Sequence, residues 1–220
     1  ASAFDHGGEA ADQVGAIVER ELVAGECSFW ACMPTKALLA PGEALSRAQA
    51  TPGTRGEVTG ALDVADALPF RDRVVSGWDD TGQVGWLDGK GIDLIRGTGR
   101  LSGPGHVVVG DDTYTARHIV VSTGSAPLIP PIPGLRELDG VWTNRDAASM
   151  SEIPASIVIL GGGAVGVEMA QVLRRFGAEV TVIEGGPHLL AREPVALGEL
   201  LAEQFVTEGI EVVLGRRATA

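Results

Sequence analysis

A glycine-rich segment at residues 161–166 constrains the fold more than any other feature of the chain. Gly161-Gly-Gly163-Ala-Val-Gly166 follows the apolar run Ile157–Leu160 and precedes a stretch with helical character. Gly161 permits a tight turn, Gly163 lets the backbone approach a ligand, and Gly166 lets the helix pack close to the strand. The pattern predicts a buried parallel strand, a turn, and a helix whose N-terminal end can hold a pyrophosphate.

An acidic residue follows the second strand of this unit. Val180–Ile183 is the predicted strand, and Glu184 comes directly after it, 23 residues beyond Gly161. A carboxylate here can accept hydrogen bonds from ribose hydroxyl groups and would repel the extra phosphate of NADP, so NAD is favoured. Arg192 lies further along the chain and could still serve a phosphate, so the preference for NAD is not exclusive. A tight structural turn without a ligand is the alternative interpretation.

Two cysteines occur five residues apart in Gly25-Glu-Cys27-Ser-Phe-Trp-Ala-Cys32-Met-Pro34-Thr-Lys36. In one regular helix their Cα atoms would lie roughly 8 Å apart, whereas a disulfide needs less than about 7 Å. A disulfide therefore requires Cys27 to lie in a turn that leads into the helix carrying Cys32. Pro34 fits the first turn of that helix. Two unrelated buried thiols are the alternative, and zinc is disfavoured because too few further ligands are present.

The segment around the cysteines resembles the active-site signature of the class I pyridine nucleotide-disulfide oxidoreductases, which include dihydrolipoamide dehydrogenase, glutathione reductase and mercuric reductase. The resemblance implies that Cys32 faces a flavin and that Cys27 exchanges with the substrate. It also implies that Lys36 pairs with Glu168 near the flavin. The sequence Cys-Ser-Phe-Trp-Ala-Cys departs from the common Cys-Val-Asn-Val-Gly-Cys, so the substrates of better-known family members are not assigned to this chain. The Arg-rich, Lys-poor composition is similar to an actinobacterial branch.

Two further stretches carry the same resemblance. Thr115 to Pro127, with Val120-Val-Ser-Thr123-Gly124-Ser125, looks like the segment that lies close to FAD after the last strand of its domain. Glu19 matches the acid that holds the FAD ribose. The implied cofactors are FAD and NAD(P), and the implied cofactor-binding residues are Glu19, Gly25, Lys36, Thr123, Gly124, Ser125, Gly161, Gly163, Gly166 and Glu184.

The implied fold class is α/β, an FAD/NAD(P)-binding Rossmann-like fold with two dinucleotide-binding domains, both incomplete. Residues 1–148 are expected to form the FAD-binding domain, with the redox disulfide but without the N-terminal G-x-G-x-x-G unit. Residues 149–220 are expected to form a truncated NAD(P)-binding domain. The family's dimer domain and its catalytic His–Glu pair are not matched, and none of the four histidines fits that role, so no acid–base residue is assigned. Family members are homodimers.

Local patterns predict the secondary structure along the rest of the chain. We expect a buried strand at 14–18 that ends at Glu19, and a helix through residues 37–39. The stretch between Pro41 and Gly60 is rich in turn formers, which indicates a loop or a broken helix. The remaining expectations are a helix within 63–87 with Trp78 and Trp86 in the core or an interface, strands at 92–95, 107–109 and 118–121, irregular chain at 127–134, and helices at 164–176 and 195–207.

The formal net charge of −12 argues against nucleic acid and anionic membranes as partners. The sequence contains no apolar run near the ~20 residues of a membrane helix and no export signal, and its two cysteines do not form a secreted disulfide framework. We therefore expect a cytoplasmic protein. The family resemblance implies a flavin-dependent NAD(P)H:disulfide oxidoreductase, similar to dihydrolipoamide dehydrogenase, that acts on a small-molecule or protein disulfide or dithiol. The alternatives are an FAD-dependent NAD(P)H oxidase or quinone reductase that does not use the disulfide, or an inactive nucleotide-binding fragment.

Overall fold

The computed structural model describes residues 15–219, which form two compact units. One unit contains residues 15–29 and 76–125, and the other contains residues 30–75 and 126–219. These units cut across the expected domain boundary near residue 148, which stays a prediction.

The first unit contains two small sheets. A parallel pair joins β1 to β2, with Ile17 opposite Leu94. An antiparallel three-stranded sheet has the order β3-β4-β5. The elements of this unit are β1 (Ala16–Glu19), α1 (Gly25–Phe29), α4 (Thr81–Asp88), β2 (Asp93–Arg96), β3 (Gly99–Gly103), β4 (His106–Val109) and β5 (Asp112–Thr115).

The second unit is a parallel sheet with helices packed on it. The strand order is β6-β7-β8, and α6 connects β6 to β7 as in a β-α-β crossover. The elements are α2 (Cys32–Ala50), α3 (Val64–Val74), α5 (Asn144–Ala148), β6 (Ser156–Leu160), α6 (Ala164–Arg175), β7 (Glu179–Glu184), α7 (Val195–Glu208) and β8 (Glu211–Leu214). Its apolar core draws on all four long helices, with Leu38, Leu68, Leu173 and Phe205 among its buried members. Within residues 15–219, none of the helices combines the length and the apolar character that crossing a membrane requires.

Helix α2 is longer than the sequence indicated. It passes through Pro41 and ends at Ala50, so the expected loop or broken helix is wrong up to that residue; turns follow from Thr51. Proline inside a helix removes one backbone hydrogen bond and strains the preceding turn. Packing compensates here, because α2 contacts both α3 and α6. Gly42, directly after the proline, is buried against the Arg175 side chain of α6.

The helix expected within 63–87 is present but interrupted. Ser76, Gly77 and Trp78 have φ values of 53°, 60° and 59°, and these left-handed conformations separate α3 from α4. Trp78 is half-buried, and its Nε1–H donates to the Phe29 carbonyl at 3.0 Å. Trp86 is 60% exposed and lies outside the core, so the alternative expectation of an interface position stays a prediction for this residue.

For three apolar runs the structure shows less burial or less strand pairing than the sequence pattern predicts. Strand β1 is only half-buried at best, and β6 alternates between exposed and half-buried residues, whereas buried strands were expected. Residues 118–121 form no strand, and Val120 is 88% exposed. An apolar run indicates β-propensity, but a strand also needs a neighbour to pair with, and residues 118–121 have no such neighbour among the residues described.

Candidate functional site

The glycine-rich turn has the geometry that its sequence predicts. Gly161 has a φ of 111°, which side-chain-bearing residues rarely adopt. A Cβ added to Gly166 would lie 2.1 Å from the Gly161 carbonyl oxygen, so only glycine fits there. Gly163 is exposed at the start of α6, and nothing lies within 4 Å of a Cβ built on it. The turn therefore leaves space in front of a helix N-terminus, where a pyrophosphate can approach the backbone.

Glu184 holds this turn from the end of β7. One carboxylate oxygen accepts the Gly162 N–H at 2.6 Å, and the other accepts the Gly186 N–H at 2.6 Å. Gly162 is buried, and a Cβ added to it would lie 2.5 Å from the Leu189 side chain. The acid expected to bind a ribose thus also fixes the backbone of the turn. Its contact with a ribose stays a prediction.

The first cysteine follows a strained turn. The Gly25 N–H donates to the Leu22 carbonyl at 3.0 Å, and Ala24 and Gly25 have φ values of 91° and 61°. Cys27 is exposed and lies within α1, a helix of five residues, where a turn leading into the next helix was expected.

The second cysteine is the first residue of α2, as predicted. Cys32 is half-buried there, and Pro34 is buried in the same first turn. The helix that begins at Cys32 contains 19 residues. The redox pairing of Cys27 with Cys32 stays a prediction.

Trp30, two residues before α2, is held by α5. The Asn144 side-chain N–H donates to the Trp30 carbonyl at 3.0 Å, and the Arg145 guanidinium lies 5.1 Å from the centre of the Trp30 ring. Helix α5 itself starts with a capping box, in which Asp146 accepts hydrogen bonds from the Thr143 backbone and hydroxyl, both at 2.7 Å. The hydrogen bond from the Thr143 backbone, and secondly the one from the Thr143 hydroxyl, lower the pKa of the Asp146 carboxyl.

Sequence reasoning missed Asn144 and Arg145. The readable signal was the sequence Thr143-Asn-Arg-Asp146, which matches a capping box and marks a helix start. Nothing local in the sequence indicates that this helix start contacts Trp30, because more than a hundred residues separate the two.

Lys36 and Glu168 lie on helices that pack together. Lys36 is exposed on α2, and Glu168 is half-buried on α6. Within residues 15–219, no ion pair joins these two side chains. Their expected pairing near a flavin stays a prediction.

The end of β1 is shaped by a network of charged residues. Glu19 accepts the Glu21 N–H at 2.8 Å, and the Asp80 carboxylate accepts the Val23 N–H at 2.7 Å. Arg96 bonds to Asp80 at 2.5 Å and also to the Glu21 carbonyl. Burial raises the pKa of Asp80, but the hydrogen bonds from Val23 and Arg96 outweigh burial and lower it overall. These contacts fix the backbone immediately after Glu19.

The three remaining predicted FAD contacts lie in irregular, exposed chain. Thr123, Gly124 and Ser125 belong to no helix or strand, and Gly124 has a φ of 67°. A Cβ added to Gly124 would lie 3.8 Å from the Glu26 side chain, within ordinary contact distance. Their role in binding FAD stays a prediction. No cluster of three or more potential metal-ligating side chains occurs in the part of the chain that the structure describes.

A parallel α/β unit with a glycine-rich turn and an acid at the end of its second strand is the arrangement of a dinucleotide-binding domain. The chain belongs to the pyridine nucleotide-disulphide oxidoreductase family, whose sequence model matches residues 8–220. This confirms the predicted family and the Rossmann-like α/β fold class. Proteins of this kind use FAD and NAD(P)H.

Curated relatives have two different activities. Dihydrolipoyl dehydrogenases of Rhizobium etli and Thermus scotoductus are 34% and 35% identical, with 95% and 91% of this chain covered. A mercuric reductase of Staphylococcus aureus is 29% identical, with 91% covered. The chain spans 48%, 43% and 37% of these three relatives, which is about half their length or less.

A solved structure of a flavoprotein disulfide reductase also matches most of this chain. The HOCl-induced flavoprotein disulfide reductase RclA from Escherichia coli, in its Cu(II) complex, superimposes with a TM-score of 0.77 at 25% sequence identity. The match covers 93% of this chain and 44% of that one.

Proposed function

We propose that this chain supplies the disulfide and the nucleotide-binding turn of a flavin-dependent NAD(P)H:disulfide oxidoreductase. The observation that carries the proposal is the packing of α2 against α6. One helix begins at Cys32 and the other at the glycine-rich turn. Two helix N-termini, one carrying a sulfur and the other open to a phosphate, thus belong to a single packed unit.

The residues around the glycine-rich turn fit NAD(P). Gly161 gives the turn its left-handed conformation, and Gly163 leaves its backbone open to a pyrophosphate. Glu184 already accepts two backbone N–H groups, and each carboxylate oxygen has a further lone pair for a ribose hydroxyl. The division into residues 1–148 for FAD and 149–220 for NAD(P) is part of this proposal.

The residues proposed for FAD fit part of that cofactor. Glu19, at the end of the parallel strand β1, would hold the ribose, and Gly25, Lys36 and residues 123–125 would line the remainder. When bound, FAD supplies two-electron chemistry between the dinucleotide and the sulfurs. Lys36 and Glu168 would position charge beside it.

The two cysteines would carry out the exchange with substrate. Two electrons and two protons convert the Cys27–Cys32 disulfide into two thiols. Cys27, the more exposed residue, then attacks a substrate disulfide as its thiolate, forms a mixed disulfide and releases one substrate sulfur as a thiol. Cys32 attacks Cys27, which restores the internal disulfide and releases the second substrate thiol. The reverse sequence oxidises a dithiol, and the substrate is a small-molecule or protein disulfide or dithiol.

Anaerobic thiol counting tests this proposal. The oxidised chain is incubated with FAD and NADH, alkylated with iodoacetamide and weighed by mass spectrometry. We expect two alkylated cysteines only when NADH and FAD are both present. Ser28→Ala, between the two cysteines, should behave like the unsubstituted chain, whereas Cys32→Ser should prevent any NADH-dependent change at Cys27.

Two outcomes would overturn the proposal. If Cys32→Ser keeps full NADH oxidation with a quinone or oxygen as acceptor, and NADH exposes no thiols, the oxidase or quinone reductase alternative is correct. If NADH binds but added FAD gives no protein-bound flavin absorbance, the chain only binds nucleotide. The cytoplasmic location and the homodimer typical of the family stay predictions.

A further inference from the structure

A cationic side chain packs against the backbone just after the end of β7. Gly185 follows Glu184, and a Cβ built on Gly185 would lie 3.0 Å from Nε and 3.1 Å from Cγ of Arg217. The Arg217 side chain therefore crosses the backbone of Gly185, in the space that a side chain would take there. Arg217 comes from the segment after β8, so residues from two neighbouring strand ends meet at this point.

Backbone hydrogen bonds hold the two segments together. The Gly215 N–H donates to the Gly186 carbonyl at 2.9 Å, and the Arg216 N–H donates to the Glu184 carbonyl at 3.2 Å. These bonds continue the pairing of β7 with β8, in which Glu184 lies opposite Leu214. The position of Arg217 against Gly185 therefore follows from the sheet.

The charges at this place decide which dinucleotide can bind. A lone carboxylate would repel a phosphate on the 2′-oxygen of the adenosine ribose. Both oxygens of Glu184 are hydrogen-bonded to backbone N–H groups, which already stabilise its negative charge. A guanidinium one residue away can bind a phosphate through two parallel hydrogen bonds.

We propose that Arg217 binds the 2′-phosphate of NADPH, so that the site accepts NADPH as well as NADH. This inference rests on the proposed function, because it assumes that the adenosine ribose lies beside Glu184. It assigns to Arg217 a role that the glycine motif and its acid do not predict. Arg192 has the same charge, but the side chain packed over Gly185 is that of Arg217.

Equilibrium titrations test the role of Arg217. NADH and NADPH are titrated into the full chain and followed by nicotinamide fluorescence. Adenosine 5′-monophosphate and adenosine 2′,5′-bisphosphate are titrated by calorimetry to isolate the adenosine end. The variants are Arg217→Ala, Arg217→Lys and the matched control Arg216→Ala, which removes the same charge from the adjacent residue.

For Arg217→Ala we expect the Kd for NADPH to rise about tenfold or more, while the Kd for NADH changes less than about twofold. The bisphosphate should lose affinity in parallel with NADPH. Arg217→Lys should recover part of the loss, and Arg216→Ala should leave the ratio of the two Kd values unchanged. Arg217 is exposed, so circular dichroism should show unchanged folding.

The inference is overturned if Arg217→Ala weakens NADH and NADPH equally, or weakens neither. It is also overturned if Arg216→Ala has the same selective effect, because a general field of positive charge would then explain the result. If the unsubstituted chain binds neither dinucleotide, the proposed function fails together with this inference. If it binds NADH but not NADPH, only the inference fails.

Discussion

Substitutions at two glycines of the 161–166 turn should affect stability and dinucleotide binding differently. We expect Gly166→Ala to destabilise the chain by about 1–3 kcal/mol and to abolish dinucleotide binding, because its Cβ would lie 2.1 Å from a backbone oxygen. Gly163→Ala should leave the stability nearly unchanged, since its Cβ meets nothing within 4 Å, yet it should weaken binding where the pyrophosphate approaches. Urea denaturation and NADH titration measure the two effects. Equal loss of stability in both variants would contradict this reading of the turn.

A buried arginine fixes the chain between α5 and β6. Arg71 is 2% exposed and donates to the carbonyls of Ala148 and Met150 at 2.8 and 2.9 Å. Arg71→Met should lower the free energy of unfolding by about 3 kcal/mol or more, because two buried carbonyl groups lose a charged donor. Arg73→Met, on the exposed side of the same helix, should change it by less than about 0.5 kcal/mol. Urea unfolding of both variants checks the difference, and similar values for the two would show that Arg71 is not a structural clamp.

At the scale of elements, the start of α5 makes stability depend on pH. The pKa of Asp146 is lowered in the folded chain by hydrogen bonds from Thr143. The stability that this carboxylate contributes is therefore fully present above its ordinary pKa of about 4 and is lost as the pH falls through its lowered value. The difference in unfolding free energy between the unsubstituted chain and Asp146→Asn should follow this course in urea titrations from neutral to acid pH. Asp139→Asn, which changes an exposed acid outside the helix, is the matched control, and the same course in both variants would contradict the assignment to Asp146.

Local patterns predicted the elements that depend on neighbouring residues. The β6–turn–α6 unit, β7, α7 and the start of α2 at Cys32 occur where the spacing of glycines, proline and apolar residues placed them. The errors concern interactions between distant residues. Packing against α6 carries α2 through Pro41, and the lack of a pairing partner in the described chain leaves residues 118–121 without strand structure. Trp86 is exposed although its residue type favours burial.

The site residues also divide into those that a local motif predicts and those that it does not. The glycines and Glu184 were readable because each has a fixed place in a local motif. The side chains of Asn144 and Arg145 contact Trp30, and that of Arg217 lies against Gly185. In each case the two contacting residues are far apart in the sequence. Their positions depend on sheet pairing and helix packing, which no short window of sequence contains.

At the scale of the whole molecule, the two compact units should respond differently to a dinucleotide. Every residue proposed to bind NAD(P) lies in the unit formed by residues 30–75 and 126–219. Binding stabilises the folded form of the unit it contacts by mass action, by about 2.7 kcal/mol at a ligand concentration one hundred times Kd. In hydrogen exchange, NADH should therefore slow the amides of β6, β7 and α6 and leave those of β3–β5 unchanged. Equal protection of β3–β5 would contradict this assignment.

The two hydrogen bonds that Glu184 accepts have a consequence for coenzyme engineering. An acid at this position disfavours the coenzyme with the extra phosphate, which makes it a natural target when the preference is to be changed. In this chain the Glu184 carboxylate anchors the N–H groups of Gly162 and Gly186, so removing it would also loosen the glycine-rich turn. The coenzyme preference is better altered at positions whose side chains do not hold the glycine-rich turn in place, and the residues after β8 offer such positions.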